Sequence, residues 1–106
     1  MKAKYFSENW SDENQNPAGG TSSGTGFCIS WQNGPLGRDG ARTEPNGAFV
    51  ETILNVVRRR LEFYQMSKFH CIENEEAIKS ITEALGFLNL RTKSREDRKV
   101  EGTHET

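Results

Sequence analysis

Long apolar runs are missing from this chain. None approaches the roughly 20 residues needed to span a bilayer, and the opening residues, MKAKYFSENWSDEN, lack the apolar stretch of a signal peptide. A cytosolic protein is therefore expected. Cysteine is scarce: Cys28 and Cys71 are the only two, and in a reducing compartment they read as free thiols. No CxxC or HxxxH spacing occurs, and His70 beside Cys71 is an awkward pair for one metal, even with Cys28 and His104 added. Glu73, Glu75 and His104 fix no nucleophile or base for a phosphodiesterase. An excess of either charge is missing too. Fourteen basic and 15 acidic residues leave a formal net charge of −1. That argues against the broadly basic surface of a DNA or RNA binder. Apolar residues make up only 33% of the 106 and charged ones 27%. Such a chain makes one small domain with a thin core, which assembly through its helices would stabilise.

What is present falls into two parts: a polar arm over residues 1–24 and a single domain over 25–106. The arm, rich in Ser, Gly, Asn and acid through the stretch SDENQNPAGGTSSGTG, can bury little, although Tyr5, Phe6 and Trp10 ahead of it could dock on a neighbour. GFCISWQ alternates, with Phe27, Ile29 and Trp31 on one side, and predicts a strand with one buried face. NGPLGRDG is dense in turn formers, and ARTEPNG is a second short strand or a loop. Helix is expected from Asn46, a good N-cap. Phe49, Ile53, Val57, Leu61 and Tyr64 form one face, and Arg58 pairs with Glu62 at i,i+4. A second helix starts near Ile72, with acids first and bases last, as the helix dipole favours. It ends at Gly102 or slightly before. Two helices joined by a short loop make an antiparallel hairpin. The expected class is α+β: short N-terminal antiparallel strands, then the hairpin, oligomerising through its helices.

The second helix poses the functional question. Asn74, Ile81, Leu88 and Arg95 share one heptad position, and Ile78, Leu85 and Thr92 share the next. Arg91 lies one turn before Arg95. An apolar stripe thus ends in two guanidiniums. On a helix surface they could pair with Glu83, Glu96 or Asp97, Asn74 could cap a turn, and Phe63 and Tyr64 could be core. The sharper reading joins them. Seventeen residues separate Asn74 from Arg91, about 25 Å of helix, too far for one small ligand. Two copies packed antiparallel about a two-fold axis would bring Asn74 of one chain to Arg91 and Arg95 of the other, twice over. The guanidiniums suit a diphosphate, and Phe63 and Tyr64 could stack on a base.

GFCISWQNGPLGRDG, the run PNGAFVETILNVVRRRLEFYQMSKFHCIENEEAI, and LNLRTKSREDRKVEGTHE together resemble the Thoeris anti-defence family of phage proteins, first-described type. The resemblance covers about Gly26 to the C-terminus, roughly four-fifths of the chain. It implies a sponge without cofactor or catalysis. Such a sponge binds a cyclic ADP-ribose isomer, the 1″–3′ glycocyclic form made by TIR-domain proteins, in the cytoplasm of the infected bacterium. The signal stays intact, and the NAD-degrading effector stays off. The resemblance also implies homodimers, in some members trimers of dimers that hold cyclic di- or trinucleotides at separate sites. By position it places the base-binding aromatic on Tyr64, with Phe63 as the register alternative, and the asparagine on Asn74. The arginines fall on Arg91 and Arg95, and a further one on Arg38. A helical adaptor gripping a host protein through Arg58–Arg60 and the aromatic arm is the rival reading.

Overall fold

A computed structural model describes residues 4–37 and 43–97. Its element order is β1 (Tyr5–Ser11), β2 (Pro17–Gly24), β3 (Phe27–Trp31), α1 (Val50–Gln65) and α2 (Ile72–Asp97). The α+β class stands. The chain divides at Val50 into a sheet unit and a helical unit.

The three strands form one antiparallel sheet in the order β1-β2-β3. The stretch expected as a polar arm supplies β1 and β2. Apolar burial does not explain this, since every β1 residue is exposed. Turn chemistry and backbone approach do. Asp12 Oδ1 accepts the backbone N–H of Asn14 at 2.9 Å and of Asn16 at 3.0 Å, the Asx geometry that closes a turn. The β2–β3 connection is the pair Thr25-Gly26, with Gly26 at φ 87°, a backbone open to glycine. Gly20 is buried against β1, where a side chain would strike the Glu8 carbonyl. Hydroxyls then tie the sheet: Ser7 Oγ and Ser22 Oγ lie 2.9 Å apart, and Trp31 Nε1 donates to Ser22 Oγ at 2.9 Å.

β3 alternates as its sequence predicts, with Ile29 and Trp31 half-buried and Cys28 and Ser30 exposed, but Phe27 at its start is 43% exposed. Within the described residues, ARTEPNG contributes no strand. The chain after it returns alongside β3 through one bridge, Trp31 to Ala48. Asn46 does not cap α1, which begins four residues later. Its side chain accepts the Asn33 N–H at 2.8 Å and donates to the Asn33 carbonyl at 3.0 Å. Both ends of the amide are thereby used in closing the loop onto the end of β3, so none remains for the helix.

The helical unit is an antiparallel hairpin. Arg58 reaches Thr82 and Glu51 reaches Arg91; partner numbers that fall on one side as they rise on the other mean opposite directions. The sheltered positions of α2 are Asn74, Ile78, Ile81, Leu85, Leu88, Thr92 and Arg95, together with Ala77 and Ala84. This is the predicted heptad seam. It packs toward the chain's own α1, so it is not free for a second copy. On α1 the sheltered set includes Glu51, Leu54, Arg58, Leu61 and Gln65 at alternating spacings of three and four. Of the expected α1 stripe, Ile53 and Leu61 are half-buried, whereas Val57 and Tyr64 are exposed. Arg58 bonds Asn55 Oδ1 at 2.9 Å and Thr82 Oγ1 at 3.4 Å, rather than Glu62. Glu62 pairs with Arg59 at 3.9 Å. Among the described residues Leu85 alone is a buried hydrophobic, at 7% exposure. A hairpin with so little core depends on what covers its outer faces.

Candidate ligand site

The turn between the helices is held by side-chain clasps. Gln65 Nε2 donates to the Cys71 carbonyl, and Cys71 N–H donates back to Gln65 Oε1, both at 3.0 Å. Ser67 Oγ donates to the Tyr64 carbonyl at 2.6 Å and accepts the Phe69 N–H at 3.0 Å. A polar turn so tied sets α1's last residues in one geometry. Phe63 and Tyr64 stand there with ring centroids 6.2 Å apart and planes tilted by 49°. They are 54% and 36% exposed, so they are a presented aromatic pair rather than core. Asn74, on the first turn of α2, is half-buried at this same loop end.

Arg91 and Arg95 lie at the other end of the hairpin, one turn apart on α2. Arg91 is exposed and its Nη2 is 3.7 Å from Glu51 Oε1. Its partner is therefore an acid on the opposite helix; Glu83, on its own helix, is not among its ion pairs. Arg95 is half-buried at a seam position of the heptad and has a partner of its own. Arg38 lies outside the described residues. On either side of the undescribed residues the Leu36 carbonyl accepts the Thr43 N–H at 2.7 Å.

Within one chain the structure therefore brings Phe63, Tyr64 and Asn74 to the loop end, and Arg91 and Arg95 to the open end. The 17 residues from Asn74 to Arg91 span about 25 Å of continuous helix. Sequence reasoning missed two features. The Glu51–Arg91 pair follows once the helices are known to run antiparallel. Arg60 precedes Phe63 by three residues and Tyr64 by four, and helical neighbours at those spacings meet. Its guanidinium carbon lies 5.2 Å from the Phe63 centroid and 5.0 Å from the Tyr64 centroid. For a metal, no group of three His, Cys, Asp or Glu side chains gathers among the described residues. Cys28 and Cys71 are free and exposed. No helix among the described residues is long and apolar enough to cross a membrane.

An aromatic pair and an amide thus mark one end of the hairpin, and two guanidiniums mark the other. The chain is 46% identical over 77 residues to Thoeris anti-defense 1 of Bacillus phage SBSphiJ7. This chain is a relative of a phage Thoeris anti-defence protein. The match covers 73% of this chain and 51% of the phage protein, so the chain spans about half the length of the curated relative it matches. No family model matches it.

Proposed function

We propose that this protein is an anti-Thoeris sponge. In the cytoplasm of an infected bacterium it binds the 1″–3′ glycocyclic ADP-ribose made by TIR-domain proteins, leaves it intact, and keeps the NAD-degrading effector off. The relation to Thoeris anti-defense 1 supports the anti-defence role. The observation that carries the ligand reading is the separation of two complementary groups of side chains at opposite ends of the helical hairpin. The aromatic pair at the end of α1 stands with Asn74 at the loop end, and Arg91 with Arg95 marks the open end of α2. Neither half alone holds a base and a diphosphate.

Two chains complete the site. The midpoint between Asn74 and Arg91 falls near Glu83. The outward face of α2 there presents Phe87 at 71% and Leu90 at 62% exposure, with Gly86 beside them. A Cβ on Gly86 would meet nothing within 4 Å, so this chain's own packing does not call for the glycine. An antiparallel pair of α2 helices on this face buries the apolar patch and brings the open end of one hairpin, with Arg91, alongside the loop end of its partner, twice. Adenine stacks on Tyr64 or Phe63, Asn74 reads a base edge or ribose hydroxyl, and the guanidiniums take the diphosphate. Sub-micromolar binding requires about 8 kcal/mol or more, within reach of a few charge-assisted bonds and one stacked base on rigid helices. Trimers of such dimers, with separate sites for cyclic di- or trinucleotides, extend the same reading.

The test is capture and release. Purified protein is mixed with the 1″–3′ ligand and filtered, and free ligand is measured before and after heat denaturation of the retained protein. Ligand that disappears and returns unchanged is the expected result. Ligand returned as product makes the protein an enzyme. Ligand that stays in the filtrate removes this signal as the target and turns attention to cyclic oligonucleotides and then to a host protein.

A further inference from the structure

Three consecutive arginines on α1 meet three different fates. Arg58 turns into the seam between the helices, where it bonds Asn55 and Thr82. Arg59 pairs with Glu62. Arg60 has no carboxylate partner among the described residues. It lies instead over two rings, 5.2 Å from the centroid of Phe63 and 5.0 Å from that of Tyr64. Its Nε donates to Tyr64 Oη at 3.2 Å. A run that reads in sequence as one solvated patch is thus divided into a structural, a neutralised and an uncompensated cation.

The uncompensated one is the chemically interesting member. A guanidinium is planar and weakly hydrated, and stacks on aromatic faces while keeping its outer N–H donors available. Arg60 is exposed, and its stacking and its bond to Tyr64 restrict its rotamers before any ligand arrives. Ordering it on binding therefore costs less than ordering a free surface arginine. A cation fixed against two presented rings matches a ligand that joins a flat base to an anion.

We infer that Arg60 is a ligand-binding residue of the loop-end half-site, where it engages the phosphate side of a base stacked on Tyr64. The inference rests on the sponge reading and deepens it. Each pocket then receives cations from both chains: Arg60 beside the base, and Arg91 with Arg95 from the partner. The ligand class this selects is an adenine-bearing diphosphate folded or cyclised so that its charge lies close to its base. An uncharged adenosine would leave Arg60 without its anion.

The experiment measures affinity for 1″–3′ glycocyclic ADP-ribose as a function of salt, for the full chain and for Arg60→Ala, Arg60→Lys and Tyr64→Ala. Circular dichroism monitors helicity and thermal midpoint. Arg60→Ala should stay folded, bind about tenfold more weakly, and show a flatter salt dependence than the parent. Arg60→Lys should recover the salt dependence and part of the affinity, because charge returns without the planar stack. Arg60→Ala binding as tightly as the parent, with the same salt dependence, while Tyr64→Ala loses binding, overturns the role of Arg60 and leaves the sponge reading standing. Tighter binding by Arg60→Ala also overturns it, since the guanidinium would then be blocking the ring. A parent chain that binds nothing overturns both.

Discussion

The two ends of the helical hairpin carry arginines in opposite electrostatic settings. At the open end Arg91 is held by Glu51 from the neighbouring helix. At the loop end Arg60 is held by rings, with its charge intact. An ion pair aims a guanidinium and also partly cancels it. An aromatic shelf aims it without cancelling it. In the proposed site the open end thus meets an anion where Glu51 must be outcompeted, and the loop end meets it with a full positive charge beside a stacking surface. In the proposed dimer the two settings face each other across one ligand.

The largest expected effect removes the comparison altogether. Leu85→Ala takes away the one buried hydrophobic among the described residues and should cost about 2–4 kcal/mol. Thermal unfolding should show a lower midpoint, and ligand capture should fail at both ends together. Next, Arg91→Ala or Arg95→Ala should weaken binding about 10- to 100-fold, the loss of a charged hydrogen-bonding group. The thermal midpoint should barely move for Arg91→Ala, because exposed ion pairs contribute little. Mixing Asn74→Ala chains with Arg91→Ala chains should restore one full-affinity pocket per heterodimer. Heterodimers without any such pocket would place the whole site within one subunit.

A smaller effect separates the ends. Tyr64→Ala should cost about 1–3 kcal/mol of stacking, whereas Tyr64→Phe should keep the stack and lose only the Arg60 bond; isothermal titration measures both. The smallest effect tests cancellation directly. Glu51→Gln should change stability by less than about 0.5 kcal/mol and raise affinity about two- to threefold, with a steeper salt dependence, since Arg91 no longer shares its charge. Unchanged or weaker binding by Glu51→Gln would mean that Glu51 orients Arg91 more than it competes with the ligand.

The helical half of the fold was legible in the sequence because it follows a period. Ile78, Ile81, Leu85 and Leu88 define the seam of α2, and the structure shelters every one of them. The start of α2 at Ile72 followed from the loss of pattern in MSKFHC. The strands β1 and β2 were not legible, because PAGGTSSG has no apolar alternation to read. Their pairing rests on Gly20, on Asp12 and on serine hydroxyls, which a hydropathy pattern does not register. Asn46 misled for a related reason: the same side-chain oxygen that caps helices also closes loops, and only the position of Asn33 decides between them. Of the site, the aromatic pair and the two halves of α2 could be placed from spacing. The partners of Arg91 and Arg60 could not, since both depend on which helix faces turn toward each other.

Each described element packs on its neighbour in sequence: β1 on β2, β2 on β3, α1 on α2. Topologies dominated by such local contacts form quickly, in the microsecond-to-millisecond range for helical pairs. All three strands lie ahead of α1 along the chain, and the two helices of the hairpin are neighbours in sequence. Synthesis of the whole chain takes on the order of ten seconds, so translation and not folding sets the delay. For such a chain, the order of its secondary structure along the gene becomes a matter of timing.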